Sequence, residues 1–242
     1  MFAAGLALTA GMVGGPHAIQ AMNDPAPPAP TATVVADVGA DKPADTKQST
    51  NKDDVKKHDV KDAKKDDAKK DAPKAAQVDF GYQEQSTYYF CAPAATRIAL
   101  SAQGHTPSQT DLAKSLGTTE NGTDSAHETT RVLNQVNGKD FYTTKSIPGS
   151  AATPKEMDQL QADVVRALSH GYPVVANIKG TTTDVDGKAH SYEGGHYLTV
   201  VGYSDEGRYV RIADPFDPSN GGTYWMSTIS LANWIAERGY SA

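Results

Sequence analysis

The sequence predicts an α+β domain, with N-terminal helices packed on a C-terminal antiparallel sheet. Between Cys91 and Ser169, apolar residues recur at three- and four-residue spacings, the period of helices with one buried face. Beyond Val174 the pattern changes to short runs rich in Val, Ile, Thr and Tyr, separated by turn residues. Helices first and strands second make an α+β rather than an alternating α/β arrangement. A third observation locates the domain: every aromatic residue except Phe2 falls within 80–242. That segment is long enough to bury one core.

Each element follows from local signals. An extended stretch, 80–89, precedes a helix that opens at Cys91-Ala92-Pro93 and runs to about Gln103, with Gly104 as its stop. Pro93 sits in the first turn, where its missing N–H costs nothing. Ala95, Ile98, Ala99 and Ala102 give this helix a small apolar face. Further helices fit 107–116, 124–136 and 154–169, the last with Met157, Leu160, Val164 and Leu168 at helical spacing. Val174 to Ile178 reads as a buried strand between Gly171 and Gly180. Residues 196–203 and 208–214 read as strands, 223–226 as a last strand, and 230–237 as a short helix.

The rest of the chain differs in composition. Residues 1–21 carry no charged side chain, and 2–15 form a small, apolar run of signal-peptide length, too short and Gly-rich for a stable transmembrane span. These features predict export, hence a secreted or cell-wall-associated protein. Residues 22–79 hold 11 Lys and 12 Asp with no aromatic residue, first Pro/Ala-rich and then Lys/Asp-rich. Such a segment cannot offset its ordering entropy and is expected to be a disordered linker, one whose reach suits cell-wall proximity. The domain itself carries 12 basic and 17 acidic residues without a basic stripe, which argues against a nucleic-acid partner.

The single cysteine, Cys91, excludes an intramolecular disulfide framework and a thiolate zinc site. It stands where a helix begins, and unpaired N–H groups there favour a thiolate. A cysteine nucleophile needs a base and an orienting group. Of the seven histidines, His17 and His58 lie outside the domain, while His105 and His170 suit helix ends. His127-Glu128 lacks the second histidine of a zinc motif, and His190 falls in a turn-rich loop with Asp184 and Asp186, where turn chemistry is the better account than a metal site. His196 remains, after Gly194-Gly195 at the start of the most strand-like run. A three-residue hairpin loop, 205–207, would pair Ser204 with Arg208 and therefore Leu198 with Asp214. His196 is then diagonal to Asp214, within reach of an imidazole–carboxylate hydrogen bond. An oxyanion donor could come from Gln85, six residues before Cys91, or from Gln83.

The run from Gln85 through Cys91-Ala92-Pro93-Ala94-Ala95 resembles the Q-x5-C-G-P-A-A motif of papain-like cysteine peptidases of the bacteriocin-processing, double-glycine-leader type. Gly195-His196-Tyr197 through Gly202-Tyr203 is similar to that family's G-H-Y/F-x-V-V-x-G-Y segment, and Tyr209 through Asp214-Pro215 to its V-x-I-x-D-P strand end. The resemblance covers about 80–240. It implies a papain-like fold, Cys91 as nucleophile, His196 as general base and acid, Asp214 as orienter and Gln85 as oxyanion donor. The implied activity is hydrolysis of a peptide or amide bond in a peptide or protein substrate, through a thioester on Cys91 and without a cofactor. Ala92 departs from the motif's glycine, and its methyl is expected to crowd substrate approach. No Walker A sequence occurs, so a stand-alone relative rather than a transporter is expected. Two other functions fit the same pattern less well: a peptidoglycan amidase or endopeptidase, and a surface-binding module that has the shape without the activity.

Overall fold

The computed structural model describes residues 72–242; the export-like segment 1–21 and linker residues 22–71 lie outside the described residues. The described residues form five helices: α1 (Cys91–Ser101), α2 (Gln109–Leu116), α3 (Ala126–Asn137), α4 (Pro154–Ser169) and α5 (Thr228–Trp234). Ser108 and Ser125 cap α2 and α3, and left-handed Gly117 and Gly138 end them. Helix α4 opens with Pro154 behind a capping box, in which the Thr153 hydroxyl accepts from the Glu156 N–H and the Glu156 carboxylate accepts from the Thr153 N–H. Its C-cap is His170, a helix-end position as the sequence implied.

Seven antiparallel strands form one sheet in the order β2 (Thr144–Ile147), β7 (Arg238–Ser241), β3 (Val174–Thr183), β4 (Ala189–Ser204), β5 (Tyr209–Ala213), β6 (Thr223–Ser227); β1 (Ala76–Gln77) adds to β4. Alternation along β3 sends Val174, Ala176 and Ile178 into one core with α4 and α5. Val175 and the neighbouring Tyr197 join the opposite core with α1, α2 and α3. Helices therefore cover both faces, whereas the sequence pattern suggested a simple stack of helices on sheet.

Several expectations need correction. Residues 76–79, assigned to the linker by composition, belong to the fold: Ala76 and Gln77 pair with Tyr203 and Gly202, and the Val78 N–H donates to the Val201 carbonyl. Backbone pairing of this kind requires no apolar pattern in the strand that is added. A Cβ on Gly202 would stand 2.7 Å from the Gln77 side chain, so glycine there is what lets β1 approach. The strand read at 174–178 extends to Thr183, and that read at 196–203 begins at Ala189, because the two continue past a bulge between Ile178 and Gly180 as one long hairpin. The short helix read at 230–237 ends at Trp234 and yields to β7. Strands β2 and β7 were not anticipated at all.

The hairpin between β4 and β5 bears directly on the site. Its turn is one residue longer than predicted: Ser204 pairs with Tyr209, not Arg208. A bulge between Val200 and Gly202 then shifts the ladder by one, and Thr199 pairs with Ala213. The next positions, Leu198 and Asp214, thus regain the relation the sequence predicted.

Candidate active site

The structure brings Cys91, His196 and Asp214 together. Cys91 is the first residue of α1, partly buried, and a free cysteine. The preceding residue, Phe90, offers no side-chain cap, and Pro93 has no N–H, so the Cys91 and Ala92 N–H groups are the unpaired donors of the first turn. Ala92 is completely buried in the cluster that α1 shares with α2 and α3, so its methyl lies in the core and not in the path of a substrate. That overturns the expected crowding. The helix is tied to β4 by the Thr199 hydroxyl, which donates to the Ala95 carbonyl at 2.8 Å.

The buried His196 ring places Nε2 2.8 Å from Asp214 Oδ1. Nδ1 is thereby left as the nitrogen able to exchange a proton with the Cys91 thiol, which stands beside the same ring. Burial, the largest influence, works against charge on the imidazole. The hydrogen bonds and charges of Asp214 and Cys91 outweigh it and raise His196 from 6.5 to about 9. The arrangement therefore favours an imidazolium beside the Asp214 carboxylate.

Asp214 is wholly inaccessible, and burial alone would raise its pKa. Four donors reverse that. Oδ1 accepts from His196 and from the Phe216 N–H at 3.0 Å; Oδ2 accepts from the Tyr192 hydroxyl at 2.9 Å and the Tyr224 hydroxyl at 3.0 Å. The net result is a carboxyl held below its usual range. Tyr192 also stacks on the His196 ring, centroids 4.1 Å apart and planes 19° from parallel. Both tyrosines in turn are pushed far up in pKa by burial and by the Asp214 charge, so they stay protonated as donors.

Sequence reasoning missed these two phenols. Tyr192 lies four residues before His196, on the same face of a strand that the Gly194-Gly195 pair seemed to break. Tyr224 lies on β6 opposite Ile212, so the register of the β5–β6 pair would have placed it diagonal to Asp214. His190, read as a loop residue, is instead buried in β4 beside Tyr192. Its Nε2 lies 3.0 Å from Asp184 Oδ2, and its ring stacks on Tyr224 at 3.9 Å. Asp184 Oδ1 accepts from the Asp186 and Lys188 N–H groups, so the carboxylate closes the turn as well. Among the described residues, no group of three or more His, Cys, Asp or Glu could hold a metal ion.

Gln85 reaches the site differently from the expected donor. Its side-chain amide donates to the carbonyls of Thr87 and Tyr88, at 2.9 and 3.1 Å, bracing the turn that delivers Cys91. Its Oε1 is buried without a partner. The Gln85 N–H donates to the Pro215 carbonyl at 2.9 Å, which binds this segment to the loop after Asp214. The exposed alternative, Gln83, is held through Oε1 by Gln109 Nε2 at 2.9 Å. Gln109 is buried and also bonds Glu84 and Ser86, a brace no spacing argument revealed.

The Peptidase_C39 like family matches residues 76–242. The chain belongs to this family. It is a thiol-dependent peptidase of the α+β class. Among solved structures, the peptidase domain of Streptococcus ComA, a bifunctional ABC transporter of a quorum-sensing pathway, is 19% identical, with 68% of this chain and 98% of that one covered and a TM-score of 0.45. Xylellain, a cysteine protease from Xylella fastidiosa, is 13% identical over 73% of this chain and 88% of its own, TM-score 0.48. Bromelain from Ananas comosus is 10% identical, covering 70% and 97%, TM-score 0.44. No curated protein matches the chain.

Proposed function

We propose that this family member is an exported peptidase that hydrolyses a peptide or amide bond through a thioester on Cys91. The observation that carries the reading is the buried His196–Asp214 pair, 2.8 Å apart, with the thiol on the other side of the same ring. The Cys91 sulfur attacks the carbonyl carbon, and the carbonyl oxygen takes the negative charge, facing the unpaired Cys91 N–H. His196 gives its proton to the leaving amine as the C–N bond breaks, which leaves the thioester. It then takes a proton from water, whose oxygen attacks the thioester, and the acid departs as the thiol is restored. Asp214 keeps Nε2 engaged and Nδ1 directed at these transfers. Gln85 is the proposed second oxyanion donor, which requires its amide to leave the Thr87 and Tyr88 carbonyls when substrate binds.

Export, and with it a peptide substrate encountered outside the cell or near the wall, rests on the composition of residues 1–79. Labelling the full chain with a peptidyl epoxide tests the catalytic reading. The expected result is a single adduct on Cys91 that disappears in Cys91→Ser and His196→Ala. Labelling that persists in His196→Ala at the wild-type rate would remove His196 from the mechanism. A parallel digestion of muropeptides separates a protein-directed peptidase from a wall hydrolase.

A further inference from the structure

A cavity of about 250 Å³ opens between the start of α3 and strands β2, β3 and β7. Its walls include Ser125, Ser146, Asn177, Glu237 and Arg238. Asn177 is buried, pairs across the ladder with Tyr197, and donates to the Tyr197 hydroxyl at 3.0 Å. Arg238 folds its guanidinium over Gly195, the residue before His196. A Cβ at Gly195 would stand 3.4 Å from Nη2. That is ordinary contact distance, so the cation lies against the backbone beside His196, while the φ of +93° is what calls for glycine at 195.

Arg238 lacks the partners such a group requires. Its Nε is buried with no hydrogen bond, and among the described residues no carboxylate lies within 4 Å of its guanidinium. The adjacent Glu237 is engaged elsewhere, with Lys179 at 3.1 Å. Asp124, also in the wall, is exposed to solvent whereas Arg238 is partly buried, so solvent screens the carboxylate more than the guanidinium. The phenol of Tyr197, the residue after His196, feels Cys91, Arg238 and Asp124 and accepts from Asn177 in the cavity wall, which ties the cavity to the strand that carries the imidazole. A partly buried guanidinium with an orphaned donor leaves a desolvation cost that a bidentate carboxylate would offset.

We propose that this cavity is a substrate subsite that reads a carboxylate, the side chain of an Asp or Glu near the scissile bond, through Arg238. Asn177 and the hydroxyls of Ser125 and Ser146 supply the polar wall around it. The proposal rests on Cys91 being the nucleophile, and deepens that reading by naming what stands beside the bond cut.

The test uses the full chain and acetyl-tripeptidyl chloromethyl ketones carrying Gln, Glu or Lys at each position in turn, with covalent capture of Cys91 followed by mass spectrometry. At one position the Glu probe should inactivate about ten- to a hundredfold faster than its Gln isostere, the range of one charge-assisted hydrogen-bonded pair. In Arg238→Gln the two rates should converge, and Arg238→Glu should favour Lys at that position. Melting temperatures of both variants report whether they fold; if one does not, Arg238→Lys, which keeps the charge and loses the fork, should retain part of the preference. Equal Glu and Gln rates in the wild type would overturn the proposal, as would a Glu preference that survives in Arg238→Gln. Faster capture of the Lys probe would overturn it in favour of Asp124. Iodoacetamide labelling of native Cys91 distinguishes the two levels: no labelling sinks the thiol reading as well, whereas labelling without a Glu preference sinks the subsite alone.

Discussion

Replacing Asp214 by Asn isolates the charge that the site is built around. The amide keeps the shape of the carboxyl, and its oxygen can still accept from His196 Nε2 and the Phe216 N–H. Its nitrogen then faces Tyr192 and Tyr224, whose hydroxyls must turn from donors to acceptors. What vanishes is the negative charge. The elevation of His196 from 6.5 to about 9 corresponds to about 3 kcal/mol in favour of the imidazolium. Without the carboxylate, burial, the largest influence, is opposed by Cys91 alone, and the midpoint should fall back toward 6.5. At about pH 7.5 the imidazolium population would then drop from nearly all molecules to roughly a tenth. Turnover should fall about tenfold at that pH, far less than the abolition expected of Cys91→Ser. A pH titration of the His196 ring nitrogens by NMR, run beside kcat/KM on the same samples, measures both. Stability gives an independent sign. The raised imidazole stabilises the fold fully below 6.5 and ceases to do so as pH climbs through about 9, while the depressed carboxyl stabilises it above 3.8. The melting-temperature gap between wild type and variant should therefore be widest between 3.8 and 6.5 and narrow toward alkaline pH. An unchanged His196 midpoint in Asp214→Asn would refute the argument that the carboxylate sets the ring's charge.

Tyr224→Phe should cost about 1.5–3 kcal/mol, the worth of one hydrogen bond to a charged group; with that donor gone Asp214 titrates higher, so acid unfolding should begin at a higher pH in denaturation scans. Gln85→Ala should slow acylation about 10²–10³-fold in single-turnover assays while leaving iodoacetamide labelling of Cys91 nearly intact. Gln83→Ala should do neither, and the reverse outcome would transfer the oxyanion role to Gln83. A chain started at residue 72 should melt higher than one started at 80. The shorter chain loses the β1 pairing, the Val78 bond to Val201 and the Gln77 acceptor of Arg211. Equal melting temperatures would show that β1 contributes nothing to the fold.

The helices were legible because their ends are written in local chemistry. Thr153-Pro154 with Glu156, and the glycines at 117 and 138, act within a few residues and need no distant partner. Strands β2 and β7 were not legible for the opposite reason. Thr144–Ile147 and Arg238–Ser241 are held by each other's backbones and by contacts across the fold, such as the Thr129 hydroxyl 2.7 Å from that of Ser241. Their sequences carry no alternation that would announce them.

The site shows how a local error can leave a long-range inference intact. Had the ladder kept the register of its observed turn, with Ser204 opposite Tyr209, Thr199 would face Asp214. Tyr197, not His196, would then be diagonal to the carboxylate. The bulge between Val200 and Gly202 removes that one-residue offset, and because side chains alternate with period two, a single residue decides which one meets Asp214. The shorter turn assumed from the sequence predicted the right pair only because the bulge cancels the extra turn residue. In physical terms the His196–Asp214 bond depends on the bulge and not on the turn. Neither phenol follows from the β4–β5 turn or its bulge, because Tyr192 lies beyond the Gly194-Gly195 pair and Tyr224 on the next strand, within reach only of the β5–β6 register. Only a sheet that carries β4 through those glycines and lays β6 beside β5 converges all four donors on one carboxylate.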